Sequence, residues 1–413
     1  MTRKKILFVS ARLPFPALEG HQIRALGVLK QLAKFADVHL LSIVREDEVL
    51  KADSELYKYC ASVTGVALPS GMLANVMAGL TAIKKNQPLV VTKYVTRALR
   101  TAFKEELEIV KPDIVHLDLL PLAGLLDLVP NNVDTFLNEH NVEAELIEQK
   151  QATLTSFSSK FIYARELKAL RVFESWACQN VTAVLACSND DKITIEGMGA
   201  GQVYCIPNGV DTVALQPDHS NIDVNKLVFL GGMGWYPNKL GVEWFIESVM
   251  PILVVKNPKI RLDLIGNPSP EVAVPDALKP YIHKLGFVDD FKPHVRQAGI
   301  MIVPLHVGSG TRLKVVEGAS LGKCMVSTHK GAQGVDLESN EDVMYADTPG
   351  EFAQAILDLQ NDKDSIINMG NHARQVAVEI YDWNAIGDKL ELIYHQPAMK
   401  GQRKNGDKKR KYV

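Results

Sequence analysis

Short apolar runs alternate with longer amphipathic stretches along almost the whole chain, and this alternation constrains the fold more than any other feature. Short apolar runs predict buried strands, whereas apolar residues at helical spacing predict helices between them. Strands that alternate with helices build βαβ units, in which a parallel sheet is covered by helices on both faces. We therefore predict an α/β fold of the doubly wound type.

The alternation runs through the chain twice. The first series of apolar runs comprises "KILFVS", "VHLLSI", "DIVHLDL", "TFLNEH" and "AVLACS", and the second comprises "LVFLGG", "IRLDLIG", "IMIVPL", "CMVSTH" and "VMYAD". Between them, Pro207, Asn208 and Gly209 interrupt the pattern. Because 413 residues exceed what one hydrophobic core usually organises, we predict two domains, 1–206 and 207–380.

Two further segments follow the second domain. Apolar residues at helical spacing in "YDWNAIGDKLELIYH" predict a closing helix, 381–396, that packs back on the first domain. The last segment, 397–413, is rich in Lys and Arg and has few apolar residues, which predicts a disordered basic tail. Since ligands of open α/β sheets lie beyond the carboxyl ends of the strands, we expect the two domains to face each other across a central ligand cleft.

The composition is that of an ordinary globular protein, with 46% apolar and 23% charged residues and a net charge of -2. This balance argues against a nucleic-acid partner. The five cysteines form no C-x-x-C pair, which argues against a disulfide framework or a structural zinc site and favours a cytoplasmic protein. The first apolar run is too short for a signal peptide. The uncharged stretch from Tyr59 to Ile83 contains Pro69 and predicts a strand followed by a helix rather than a membrane span.

A glycine-rich loop in "IMIVPLHVGSGTRLKVVEGASLG" predicts an anion site. We expect the strand to end near Leu305 and a helix to begin near Thr311, with Gly308, Ser309 and Gly310 in the loop. A helix N-terminus offers free N–H groups and a positive dipole end to a phosphate. Glycine lets the backbone approach such a ligand without obstruction by a Cβ atom.

Charged residues follow this loop. Arg312 and Lys314 are two cations suited to a diphosphate, and Glu317 can accept hydrogen bonds from a diol such as ribose. Together they predict a nucleoside-diphosphate site, although solvated surface charges remain an alternative interpretation. A dinucleotide fingerprint would need glycine where Leu313 stands, and a Walker loop would need Ser or Thr where Cys324 stands.

The chain resembles the retaining two-domain glycosyltransferases of the GT-B fold, in particular the family-4 or group 1 class. The resemblance rests on the order and spacing of several segments and extends to about Tyr394. These segments are "LPFPALEGHQIRALGVLKQLA", "EHNVEAEL", "CIPNGVD", "LVFLGGMGWYPNKLGVEWF", "LGFVDDFKPHVRQAGIMIVPLHVGSGTRLKVVEGASLGKCMVSTHKGAQGV" and "YDWNAI". It implies two Rossmann-like domains, the first binding an acceptor and the second binding a nucleotide-sugar donor.

For the first domain, the resemblance implies roles for two segments. Gly20 and His21 would approach the donor diphosphate at the start of the helix that Arg24 opens, although relatives often carry a second glycine where His21 stands. His140 would contact the donor sugar and the charge that develops at its anomeric carbon. The alternative is that His140 is an ordinary, hydrogen-bonded histidine at a strand end.

For the second domain, the resemblance implies a donor site around the glycine-rich loop. Arg312 and Lys314 would bind the leaving diphosphate, and Glu317 matches the second Glu of the family's Glu-x7-Glu signature. Ser309 stands where the first Glu is expected, so Ser309 with the amides of Gly310 and Thr311 would take over its part.

The resemblance also implies contacts to the rest of the donor. Asn238 and Lys239 occupy the place of a basic pair found in relatives, and Phe287 with Val288 matches the segment that lines the base pocket. The implied reaction is transfer from a UDP- or GDP-linked sugar to an acceptor hydroxyl, with retention and with neither a metal ion nor a further cofactor. Fixed cations aimed at the leaving phosphate would supply the main catalytic effect.

Two basic, partly apolar stretches bear on the acceptor, namely "MLANVMAGLTAIKKNQPLVVTKYVTRALRTAFK" and "SSKFIYARELKALRVF". Such surfaces can dock on anionic lipid, which predicts a peripheral protein at the inner face of the membrane and a lipid-linked saccharide acceptor, as in bacterial polysaccharide assembly; a free saccharide remains open. Solvated helix faces are the alternative interpretation. A nucleotide-sugar epimerase of the same fold and a non-catalytic nucleotide-sugar-binding scaffold also remain open.

Overall fold

The computed structural model describes residues 3–46, 48–51, 54–266, 272–308 and 312–396. The chain divides into two compact units. One unit runs to Pro207 and includes the chain from Ile386 onward, and the other spans Asn208–Ala385. The sequence predicts this boundary one residue earlier, after residue 206. The predicted tail, 397–413, lies outside the described residues.

The first unit is built on a parallel sheet, which has seven strands within the described ranges, in the order β3-β2-β1-β4-β5-β6-β7. Its strands are β1 (Lys4–Ser10), β2 (Ala36–Val44), β3 (Cys60–Ala67), β4 (Ile114–Asp118), β5 (Asp134–Asn138), β6 (Ala183–Ala186) and β7 (Val203–Cys205). Its helices are α1 (Gly20–Phe35), α2 (Gly71–Lys85), α3 (Leu89–Tyr94), α4 (Arg97–Val110), α5 (Glu143–Thr153), α6 (Phe157–Asn180) and α7 (Asn189–Gly197). Short 3-10 segments occupy Glu55–Lys58 and Leu120–Leu128.

The second unit repeats this plan, with six parallel strands among the described residues, in the order β10-β9-β8-β11-β12-β13. Its strands are β8 (Asp223–Leu230), β9 (Arg261–Ile265), β10 (Ile282–Gly286), β11 (Ala298–Val303), β12 (Cys324–Ser327) and β13 (Met344–Tyr345). Its helices are α8 (Tyr236–Trp244), α9 (Met250–Lys256), α10 (Lys292–Gln297), α11 (Leu313–Ser320), α12 (Pro349–Gln360) and α13 (Lys363–Val376). A 3-10 segment occupies Asp276–Tyr281, and π-helical segments occupy Phe245–Val249 and Ala377–Tyr381.

The central strands explain why the apolar runs are almost uninterrupted. Residues Ile6 to Val9 of β1 are fully buried, as are Leu227 to Phe229 of β8. Strands of a parallel sheet lose both faces to covering helices, so side chains along the middle of the strand are mostly apolar. This confirms the predicted α/β, doubly wound class.

The last helix, α14 (Trp383–His395), provides an aromatic contact to the first sheet. The Tyr394 ring stacks on Phe136 of β5 at a centroid distance of 4.2 Å, and its hydroxyl lies 2.6 Å from Nδ1 of His116 on β4. Lys4 donates a hydrogen bond to the Tyr394 carbonyl at 2.7 Å. Burial lowers the pKa of His116 to about 4, so its ring is neutral in this contact.

Two strands are not predicted from the sequence, because their residues form only a weak apolar pattern. The three-residue strand β7 is too short to show alternation, and β10 buries only Ile282 along its length. The Tyr59 to Ile83 stretch forms β3 and most of α2, as expected. No helix in the described ranges is long and apolar enough to span a membrane.

Close packing of α8 against the end of β11 generates a stability prediction. A Cβ atom on Gly241 would lie 2.4 Å from the carbonyl oxygen of Pro304, which is backbone and cannot rotate away. We expect Gly241→Ala to destabilise the protein by about 1–3 kcal/mol, read as a lower thermal unfolding midpoint. The control is Gly350→Ala in α12, where nothing lies within 4 Å of the added atom. Equal midpoints for both variants would contradict the prediction.

Candidate active site

Polar side chains gather in the first unit where neighbouring strands end. β4 ends at Asp118 and β5 ends at Asn138, and these two residues are partners in the sheet register. His140 follows two residues later. The chain keeps its strand-like pairing for one residue past β5, because the Glu139 amide donates to the Leu185 carbonyl at 2.9 Å. The backbone that carries His140 is therefore held by the sheet.

A buried hydrogen-bond network fixes the His140 side chain. Nε2 of His140 lies 2.9 Å from Oδ1 of Asp118, and the Asn138 amide donates to the same oxygen at 2.7 Å. Burial alone would raise the pKa of Asp118, but the charge of His140 and its hydrogen bond hold that pKa below its usual value. The contacts of His140 to Asn138 and Asp118 both involve Nε2.

Arg24 ties this network to the first helix. Its Nε and Nη2 atoms donate to Oδ1 of Asn138 at 3.1 and 2.7 Å, and Nη1 donates to the carbonyl of Ile206 at 2.7 Å. The guanidinium is buried, and its planar fork matches two acceptors at fixed angles. Arg24 thus orients the Asn138 amide, which in turn orients Asp118 and His140.

The predicted donor residues Gly20 and His21 form the first turn of α1. Glu19 caps the helix, and its carboxylate lies 3.5 Å from Nδ1 of His21. Burial, followed by the nearby charges of His140 and Arg12, lowers the pKa of His21 against the opposing effect of Glu19. His21 and His140 are therefore close enough to interact electrostatically, with free helix-terminal amides beside them.

The second unit presents the glycine-rich loop after β11. The strand ends at Val303 rather than near Leu305, and α11 begins at Leu313 with Arg312 as its N-cap rather than near Thr311. These two boundaries were predicted two residues away from where the structure has them. Ser309, Gly310 and Thr311, which were predicted to bind the donor, lie outside the described residues.

Lys314 projects from the first turn of α11 into a polar corner. Its ammonium lies 2.5 Å from Oδ1 of Asn238 in α8 and 4.2 Å from the centroid of the Phe229 ring. The Asn238 amide donates to the carbonyl of Gly232 at 2.8 Å. Burial, followed by the charge of Arg312, lowers the pKa of Lys314 to about 7. An anion placed here would favour the charged form of the amine.

Glycines shape the space around these cations. Gly231, directly after β8, has φ +149°, and a Cβ atom there would lie 2.6 Å from Nζ of Lys314. Gly308 has φ +118°, and a Cβ atom there would lie 2.8 Å from Nη1 of Arg312. Both positions therefore need glycine for backbone conformation and for access to the cations.

Arg312 and Glu317 complete this group. The Arg312 guanidinium is buried and lies 5.8 Å from the centroid of the Trp235 ring. Glu317 is one turn further along α11 than Lys314. Burial raises the pKa of Glu317 to about 7, against the lowering effect of Lys314. A carboxyl group and an amine that both titrate near neutral pH can exchange protons as a ligand binds.

Three other predicted residues are not part of this group. Lys239 pairs with Glu243 one turn along α8, at 4.0 Å. Val288 packs against the core of the second unit, whereas the Phe287 ring is 71% exposed. Their proposed contacts to the donor stay predictions.

Sequence reasoning missed Asp118, Asn138 and Gly231. All three were readable in principle, because each stands at the carboxyl end of an apolar run, in "HLD", "FLN" and "FLGG". Polar residues and glycines at such ends are the ones that reach the ligand edge of a parallel sheet. The apolar runs of the sequence do not show which strand ends are neighbours in the sheet.

Comparisons with known proteins agree with the α/β fold described above. Residues 224–362 match the family model described as glycosyl transferases group 1. Sucrose-phosphate synthase from Thermosynechococcus elongatus has a similar structure, with a TM-score of 0.70 and 16% identity over 95% of this chain and 98% of that one. HepE from Anabaena, solved with UDP-glucose, has a TM-score of 0.65 and 12% identity over 95% and 99%.

One curated relative also spans nearly the whole chain. It is a 44.6 kDa protein from the cps region of Klebsiella pneumoniae, 22% identical over 92% of this chain and 96% of its own length. The chain therefore has the GT-B fold, and residues 224–362 of its second unit match the group 1 glycosyl transferase model.

The buried carboxyl of Glu317 generates a pH prediction. Because its pKa is about 7 in the folded protein and about 4.5 when solvated, the folded state keeps a proton that the unfolded chain releases between these values. The contribution of this group to the free energy of unfolding therefore falls as pH rises from about 4.5 to about 7. We expect Glu317→Gln, which cannot titrate, to be more stable relative to wild type at pH ~8 than at pH ~4.5.

The test is to measure thermal unfolding midpoints at both pH values for wild type, for Glu317→Gln and for the exposed control Glu341→Gln. If the two variants track each other across the pH range, Glu317 is not a buried, neutral carboxyl.

Proposed function

We propose that this protein transfers a sugar from a nucleoside-diphosphate donor to an acceptor hydroxyl, with retention at the anomeric carbon. The observation that carries the proposal is the group formed by Arg312 and Lys314 at the start of α11, beside Gly231 and Asn238. The buried Arg312 and the part-buried Lys314, next to helix-terminal amides, suit a diphosphate rather than a neutral ligand.

In the proposed reaction, the acceptor oxygen forms a bond to the anomeric carbon as the bond from that carbon to the diphosphate oxygen breaks. The electron pair of the broken bond goes to the leaving phosphate, which takes the acceptor's proton. Arg312 and Lys314 stabilise the negative charge that builds on this phosphate, and their fixed positions make the stabilisation effective. Since these cations can carry the leaving-group charge, we propose transfer without a metal ion or further cofactor.

His140 has the second role in this proposal. Its Nε2 is held by Asp118, so Nδ1 is oriented toward a ligand rather than rotating freely. Facing the donor sugar, it would stabilise the charge that develops at the anomeric centre. Asp118 acts through His140 and is a positioning residue.

Glu317 is proposed to accept hydrogen bonds from the ribose of the nucleotide. A carboxyl with a pKa of about 7 can lose its proton when hydroxyl donors and the Lys314 ammonium stabilise the anion. Because HepE was solved with UDP-glucose, UDP is the first donor nucleotide to test, with GDP as the alternative.

We further propose that the acceptor is a lipid-linked saccharide in bacterial cell-surface polysaccharide assembly, and that the protein is cytoplasmic and peripheral to the membrane. The bacterial relative from a cps region supports this setting. The basic, partly apolar stretches of the first unit support the membrane part.

Nucleotide binding tests the diphosphate group. We expect UDP to raise the thermal unfolding midpoint of the wild type by mass action, with and without chelator, and GDP, ADP and NAD to do so less. Arg312→Ala should weaken UDP binding about 10- to 100-fold, because a charge-assisted contact is lost. Lys279→Ala is the control, since Lys279 is an exposed cation of the second unit that pairs with Asp276. Stabilisation by NAD alone, or an Arg312→Ala variant that binds UDP normally, would contradict the proposal.

Turnover tests His140. We expect His140→Ala to lower the rate of UDP release from UDP-sugars about 10²- to 10³-fold, as for other groups that stabilise transition-state charge, while the UDP-induced thermal shift persists. His395→Ala, on the exposed end of α14, is the control. Unchanged turnover in His140→Ala would show that the histidine is only structural, and absent turnover in the wild type despite UDP binding would favour the scaffold alternative.

A further inference from the structure

Helix α2 packs against the first unit with its small side chains. Ala82 is its only buried residue, and Ala74, Ala78 and Thr81 are partly buried. The hydroxyl of Thr92 in α3 donates to the Ala78 carbonyl at 3.0 Å, which shows how closely this side of α2 approaches its neighbour. A surface helix normally turns its large apolar side chains inward, and α2 does the reverse.

The large apolar residues of α2 lie in one stripe on the outer side. They recur at i, i+1, i+4, i+5, i+8 and i+11, which is helical spacing, and each is between 51% and 84% exposed. They are Met72, Leu73, Val76, Met77, Leu80 and Ile83. A contiguous apolar stripe of this kind marks an interaction surface rather than scattered exposure.

The start of α6 extends this stripe. Phe157, Phe161 and Ile162 are 62% to 85% exposed. Phe161 and Ile162 lie one turn before Arg165, whose Nη2 donates to the carbonyls of Ala82 and Gln87 at 2.6 and 2.9 Å. This contact joins α6 to the C-terminal end of α2, and both helices carry large exposed apolar residues. We call these nine side chains, six from α2 and three from α6, the α2–α6 surface.

The chain segment that contains α2 carries only positive charges. Two carboxylates reach it from other segments: Glu46 accepts a hydrogen bond from the Ser70 hydroxyl, and Glu166 accepts one from the Leu89 amide. Residues 56–104 contain no Asp or Glu, although the whole chain has a net charge of -2. They contain seven cations: Lys58, Lys84, Lys85, Lys93, Arg97, Arg100 and Lys104. Lys84 and Lys85 end α2 and Lys160 lies within the first turn of α6, all three exposed beside the apolar residues.

We propose that the α2–α6 surface docks on an anionic lipid bilayer. Its apolar side chains enter the boundary between headgroups and acyl chains, and Lys84, Lys85 and Lys160 contact lipid phosphates. The inference deepens the proposed function and rests on it for one point, namely that docking brings the protein to a lipid-linked acceptor. A second copy of this chain is the competing occupant, and the oligomeric state measured below distinguishes it from a bilayer.

Vesicle binding by the full chain tests the proposal. Sedimentation is measured with vesicles of phosphatidylcholine alone and of phosphatidylcholine with phosphatidylglycerol. The variant carries Leu73→Ser, Val76→Ser, Leu80→Ser and Phe161→Ser, all at exposed positions where folding is least affected. The matched control carries four exposed apolar residues from elsewhere changed in the same way: Ile109→Ser, Ile193→Ser, Val255→Ser and Leu392→Ser.

We expect wild type and control to bind the phosphatidylglycerol vesicles and the surface variant to bind at least tenfold more weakly. Lys84→Gln with Lys85→Gln should weaken binding and its salt dependence. Absence of vesicle binding by the wild type, or equal binding by wild type and surface variant, would overturn the proposal. So would a wild-type dimer that the four surface changes convert to a monomer, since the surface would then join two copies.

The UDP-induced thermal shift is measured on the same samples. A normal shift without vesicle binding would reject docking and leave the proposed sugar transfer standing. Vesicle binding as expected without a shift by either UDP or GDP would reject the proposed sugar transfer and leave docking standing.

Discussion

A parallel strand that is buried on both faces can offer polar side chains to a ligand only at its ends, and this constraint organises both units. A polar group in mid-strand, such as His116 of β4, is instead enclosed and hydrogen-bonded within its unit. The middle of β1 and of β8 is fully buried, so neither can carry a reactive group there without an unpaired polar atom in the core. The polar residues of the candidate site accordingly follow the strands. Asp118 and Asn138 end β4 and β5, and Gly231 follows β8. The same hydrogen-bonded sheets that build the cores therefore position the chemistry.

The two groups of candidate residues, one in each unit, differ in how their charges are satisfied. In the first unit, Arg24, Asn138, Asp118 and His140 satisfy one another in a closed network, which makes the imidazole rigid without a ligand. In the second unit, burial works against the ordinary charge states of Lys314 and Glu317. Groups that are held in unfavourable charge states destabilise the free protein and gain most when a ligand of complementary charge arrives.

The α2–α6 surface departs from the usual pattern of burial in another way. In the second unit ionisable groups are withdrawn from water, whereas on this surface large apolar groups are exposed to it. Six large side chains of α2 face outward while alanines face the protein. Such a helix gains little hydrophobic stabilisation from its own unit. Its sequence fits a surface that a partner buries, and the exposed Lys84, Lys85 and Lys160 match a negatively charged one.

The sequence alone determined the class of fold and the region of the anion site. Apolar periodicity depends only on neighbouring residues. It therefore predicted the main strands, the restart of the pattern near residue 207 and the loop before Arg312. The short strand β7 and the mostly exposed β10 were not, because neither buries enough side chains to leave a pattern.

The tertiary structure decided which of these residues meet. Arg24 and Asn138 are 114 positions apart, and Lys314 and Asn238 are 76 apart, so no local pattern joins them. Periodicity also marked α2 as amphipathic without saying which face lies inward. Pairing between distant strands and the choice of buried face depend on the free energy of the whole packed unit, which no short stretch of sequence contains.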